Sequence, residues 1–169
     1  WSRLQEGLRG IRTTGMPSKV KDFLALIASC DSKALQTKSE KLHRIIGGQV
    51  SVLPPDTRHV DYGVIPLMLA DGCRYHCGFC CIKTRQNFRP RSRENVMQQI
   101  RQLKAFYDAD LLNYNALFLG NHDALAAGRE RICLAAAEAY AAFDFENAYV
   151  KNPTLFLFGS ADSLLVAGD

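Results

Sequence analysis

The residues best equipped for chemistry lie in "LADGCRYHCGFCCIKTRQNFRPRSREN", Leu69 to Asn95. Four of the chain's six cysteines, Cys73, Cys77, Cys80 and Cys81, fall within nine residues there. Three of them read C-x-x-x-C-x-x-C. Thiolates this close together in a loop suit a metal ion or an iron–sulfur cluster. Structural zinc asks for four ligands, usually as two separated pairs. No second pair exists, and a fourth ligand would have to be His76 or Cys81. Three cysteines and no regular fourth suit a cubane held at three irons, with one iron left open for a substrate or cofactor. Cys81 reads as a small buried residue, and Cys30 and Cys133 as inert core residues.

Around the motif, the apolar run "GVIPLMLA" (Gly63 to Ala70) has strand length and leads straight into the cysteines. Pro66 lacks the N–H that a central strand needs, which puts this strand at an edge. Ser92 caps a helix whose apolar positions Val96, Ile100, Leu103 and Phe106/Tyr107 follow helical spacing. "ALFLG" (Ala116 to Gly120) is a second buried strand, ending in the polar turn Asn121-His122-Asp123. An alanine-rich helix follows from about Ala126 to Phe143. "TLFLFG" (Thr154 to Gly159) is a third strand, ending in Ser160-Ala161-Asp162-Ser163. Strand, loop and helix repeat at roughly 40 residues, the βαβ pattern of a parallel sheet buried on both faces. Chemistry in such folds gathers in the loops leaving the carboxyl ends of the strands. The cysteines, Asn121–Asp123 and Ser160–Ser163 therefore belong on one rim.

The C-x-x-x-C-x-x-C motif after the first strand of a βα array, with Phe79 before the last cysteine and "RSRENVMQQI" opening the next helix, resembles the radical S-adenosylmethionine (radical SAM) enzymes. The resemblance covers about residues 61–169. It implies an α/β fold, a partial (β/α) TIM-like barrel with about three βα units, behind an N-terminal helical or irregular extension over residues 1–60. It implies a [4Fe–4S] cluster on Cys73, Cys77 and Cys80, whose fourth iron chelates the amino and carboxylate groups of S-adenosylmethionine. Reductive cleavage of that cofactor would yield a 5′-deoxyadenosyl radical that abstracts hydrogen from a substrate. The electron would come from a donor such as a flavodoxin or ferredoxin. Phe79 matches the position that contacts the adenine. Where family members carry a Gly-Gly-Glu-like turn for the cofactor's ammonium, this chain has Gly120, Asn121, His122 and Asp123. Asn121 or Asp123 could take that role, and a turn-and-cap role competes with it. Ser160 and Asp162 stand where they could touch cofactor or substrate. With only three of a barrel's usual six units, the chain reads as a piece of something longer.

Composition sets the outer bounds. At 169 residues with 47% apolar and 22% charged residues, the chain is ordinarily globular. No apolar run approaches the roughly 18 residues of a membrane helix. "KVKDFLALIASC" is too short, and carries Asp22, for a lipoprotein signal. A cytoplasmic location and no membrane partner are expected. Seven of the 21 Lys and Arg fall between Lys83 and Lys104 with one acid, Glu94, a local charge of +6. The rest of the chain then carries −2 of its overall +4. Arg89, Arg91 and Arg93 could bind a carboxylate or phosphate, or simply face solvent. The basic segment slightly favours an RNA substrate over a small molecule or peptide, though it lacks the interleaved aromatics of a single-strand platform. The alternative to a radical enzyme is a non-catalytic metal-binding module, holding zinc or an electron-transfer iron–sulfur cluster, with or without bound nucleic acid. Before residue 61, one helix is expected over Pro17–Cys30, with Val20, Phe23, Leu24, Ile27 and Ala28 on one side. A short strand is expected at Val50–Leu53, and a domain boundary near Pro54–Asp61.

Overall fold

The structure, a computed structural model, describes residues 2–48, 63–75, 77–78 and 86–167. The expected strand at Val50–Leu53 and the boundary near Pro54–Asp61 lie outside these residues. Two compact units are present, Trp1–Leu42 and His43–Asp169.

The first unit is helical. In place of one helix there are α1 (Ser2–Arg9), α2 (Ser18–Ser29) and the greater part of α3 (Ser32–Ile46). The helix expected over Pro17–Cys30 is α2, but Val20 and Phe23 on its apolar side are exposed, leaving Leu24, Ile27 and Ala28 half-buried. End chemistry organises the unit instead. The buried Gln5 amide donates to the carbonyls of Cys30 (2.8 Å) and Ile27 (3.3 Å), filling acceptors at the end of α2. Asp31 Oδ1 accepts the Ala34 N–H at 2.8 Å and so opens α3. Cys30 is half-buried in this unit, not a core residue.

The second unit is α/β, as expected. Strands β1 (Gly63–Pro66), β4 (Tyr114–Asp123) and β5 (Thr154–Phe158) form a three-stranded parallel sheet in that order. Helix α4 (Arg93–Tyr107) joins β1 to β4, and α5 (Arg129–Phe143) joins β4 to β5. Val64, Ile65 and Pro66 pair with Ala116, Leu117 and Phe118, which pair in turn with residues 154–156. Among the described residues β1 is an edge, where Pro66 leaves no ladder bond missing. Ile65, Leu67, Leu69, Leu117, Phe118 and Leu119 are buried under Val96, Ile100 and Leu103 of α4 and Ala135, Ala139 and Phe143 of α5. These are the helical positions that the sequence spacing selects for α4. Ser92 caps α4 by accepting the Asn95 N–H.

Two features depart from the sequence reading. Beyond β1 the apolar run continues to Leu69 without a strand partner for Met68. The buried Gln99 side chain takes that place: its Oε1 accepts the Met68 N–H at 3.1 Å and its amide donates to the Met68 carbonyl at 3.0 Å. A buried polar side chain is retained because it satisfies both backbone groups. Secondly, β4 runs through Asn121, His122 and Asp123, where a turn was expected. Its pairing with β5 breaks after Phe118 and resumes at Asp123 with Phe158. The stretch stays extended because Gly120 takes a φ of 102°, open to glycine but strained for other residues.

Candidate functional site

A small antiparallel ladder that the sequence does not announce frames the cysteine loop. Strand β2 (Ala70–Asp71) pairs with β3 (Arg89–Pro90), Ala70 opposite Pro90 and Asp71 opposite Arg89. Beyond the ladder, Cys73 makes an isolated parallel bridge to Asn87, and its N–H donates to the Gln86 carbonyl at 3.4 Å. Gly72, between ladder and motif, has a φ of 69°, and a Cβ there would run into the carbonyls of Gln86 and Asn87. The turn into the first cysteine therefore requires glycine.

Arg91 locks the base of this frame. Its Nη2 and Nε donate to Asp71 Oδ1 at 2.6 and 3.1 Å, and its Nη1 donates to the Ile46 carbonyl at 2.6 Å. The last carbonyls of α3 are thereby satisfied by a charged donor. One of the three arginines expected to meet a carboxylate or phosphate meets a carboxylate of the chain itself.

Cys73 is half-buried and Cys77 exposed, and both are free thiols. The Tyr75 N–H donates to Cys73 Sγ at 3.4 Å. Phe79, Cys80 and Cys81, and His76, lie outside the described residues. Among the described residues no three His, Cys, Asp or Glu side chains are grouped to hold a metal ion. Cys133, expected in the core, is exposed on α5: it lies beside Ile132, and the inward stripe of this helix runs through Ile132, Ala135, Ala139 and Phe143.

The three strand-end segments expected on one rim do meet. Asp123, at the end of β4, is buried, and its carboxylate accepts three donors. These are the Ser160 N–H at 3.0 Å, the Ser160 hydroxyl at 2.9 Å and the Ser163 hydroxyl at 2.6 Å. Ser160 Oγ accepts the Ser163 N–H at 3.1 Å, capping α6 (Ala161–Ala167). From the cysteine loop, the Tyr75 hydroxyl reaches Ser160 Oγ at 3.1 Å and donates to Asp162 Oδ2 at 3.0 Å. Tyr75, Ser160, Asp123, Ser163 and Asp162 are thus one hydrogen-bonded chain from the cysteines across the strand ends. Asp123 orients the capping residue of α6, Ser160, in this arrangement. Gly120 and Asn121 lie on the same end of β4, with the Asn121 side chain outside those described. Sequence reasoning had no signal for Tyr75, whose partners lie 85 and 87 residues away.

Among the described residues no helix is long and apolar enough to cross a membrane. No protein-family model, curated protein or solved structure matches the chain.

Proposed function

We propose that this chain is the cluster-bearing part of a radical SAM enzyme, with Cys73, Cys77 and Cys80 as ligands of a [4Fe–4S] cluster and S-adenosylmethionine as its co-substrate. The observation that carries the reading is the C-x-x-x-C-x-x-C spacing in the sequence that follows the parallel strand β1 and the short strand β2. The donor set fits the group: two of the three thiols are described, both free, one accepting a backbone N–H. When bound, the reduced cluster supplies the electron that cleaves the cofactor's sulfonium and produces a 5′-deoxyadenosyl radical.

The chain's own residues have positioning roles. Gly72 and the β2–β3 ladder fix where Cys73 leaves the sheet. Tyr75 ties the loop between Cys73 and Cys77 to Ser160 and Asp162, keeping thiols and strand ends in register. Asp123 orients Ser160 and the start of α6. Gly120, Asn121, Asp123 and Ser160 are the candidates to face the cofactor, and Phe79 to stack on its adenine. A flavodoxin or ferredoxin is the proposed electron donor, and an RNA, peptide or small molecule the substrate.

Anaerobic reconstitution with iron and sulfide, followed by electron paramagnetic resonance of the reduced protein, tests this. A [4Fe–4S] signal that changes shape with S-adenosylmethionine and is lost in Cys77→Ala is the expected result. Stoichiometric zinc and no cluster would overturn the reading.

A further inference from the structure

A cleft of about 570 Å³ opens beside the first turns of α4, within the range of small-molecule sites. Its wall is fixed: Arg91 is held by Asp71, and the Gln99 side chain by Met68 and Asn95. Arg44 and Arg89 add two further guanidinium groups, so the lining carries three arginines against one acid, Asp71. Asn95, Gln98 and Gln102 also line it, on one face of α4 at helical spacing. Arg89, Gln98 and Gln102 are exposed. Arg93, Arg101 and Lys104, the basic residues of α4, do not line the cleft.

The helix terminus is not the attraction. Ser92 Oγ already takes the Asn95 N–H, and Glu94 sits on its own backbone N–H and Ser92, which hold its carboxyl below the usual range. Guanidinium forks match phosphate oxygens in pairs. Side-chain amides offer donor and acceptor together, as hydroxyl groups require. A lining of both kinds selects a ligand with both chemistries.

We propose that this cleft binds a small phosphorylated, hydroxylated molecule of the sugar-phosphate class, with Arg89 on the phosphate and Gln98 and Gln102 on the hydroxyls. The site is independent of the cysteines, so it stands or falls apart from the cluster reading.

Isothermal titration of the whole chain with ribose 5-phosphate, and in parallel with inorganic phosphate and with ribose, tests it. Saturable binding of ribose 5-phosphate is expected, about tenfold or more tighter than inorganic phosphate. Arg89→Gln is expected to weaken it by about tenfold, the loss of one charged contact. Gln98→Ala with Gln102→Ala should bring the sugar phosphate close to inorganic phosphate. All three side chains are exposed, and unchanged circular dichroism would verify that the variants fold. Absence of saturable binding, equal binding of both phosphates by the unaltered chain, or affinity unchanged in Arg89→Gln would each overturn the proposal.

Discussion

Across Ala116–Phe118, β4 pairs in register with both neighbours and its side chains are buried between helices. From Gly120 to Asp123 the same strand loses register with β5, takes a positive φ, and ends in a carboxylate that three donors from the next strand's loop surround. One half is held by apolar area and ladder bonds, which are indifferent to chemical identity beyond size and shape. The other is held by specific polar partners from the connection after β5, tied in turn to Tyr75 of the cysteine loop. The first half supplies a rigid platform, and the second brings cysteine loop, strand end and helix cap together. Substitutions at the two ends should therefore fail differently.

The largest effect is expected at the apolar end. Phe118 is fully buried and meets Phe158 edge-on at 5.6 Å. Phe118→Ala should cost about 3–5 kcal/mol, read from urea unfolding followed by circular dichroism. At the polar end, Asp123→Ala strips the acceptor from the Ser160 N–H and two hydroxyls, and should cost about 2–3 kcal/mol. Hydrogen exchange should show its effect gathered at Ser160–Ser163, with α4 amides protected as before. A loss spread evenly over both helices would erase the distinction between the two halves.

A third test addresses the start of β4. Burial pushes the Tyr107 and Tyr114 hydroxyls above the usual tyrosine range, and the two rings lie 4.7 Å apart. In the unfolded chain both release a proton near pH 10.0, while the fold keeps them neutral. Their contribution is complete below pH 10 and is lost as pH rises, by about 1.4 kcal/mol per pH unit for one such group. The urea midpoint should fall above pH 10, less steeply in Tyr107→Phe. The smallest change in stability, about 0.5–1 kcal/mol, is expected for Tyr75→Phe, which loses one hydroxyl at the rim. Its cluster signal after reconstitution should broaden, a change that Phe118→Leu, altering only the core, should not produce.

Much of the platform was legible in the sequence. The three strands, the cap at Ser92 and the buried face of α4 follow from apolar runs, helical spacing and one hydroxyl at the right place. These depend on residues within a few positions of each other. The N-terminal helices were less legible, because α1 and α3 are predominantly polar and α2 leaves Val20 and Phe23 exposed. The end of β4 was misread as a turn, since Asn, His and Asp suit turns by local preference. Here Gly120 supplies the conformation and Asp123 finds its donors in the following βα connection.

By itself, then, the sequence determined the cysteine spacing, the alternation of strands and helices, and the concentration of positive charge behind the motif. All three are properties of neighbouring residues. Only the tertiary structure decided that Arg91 is satisfied by Asp71 and the end of α3, that Gln99 stands in for a missing strand, and that Tyr75 meets Ser160 and Asp162. Each joins groups 20 or more residues apart in the chain. A hydrogen bond depends on distances and angles set to within a few tenths of an ångström, and no local pattern encodes those for partners so far separated.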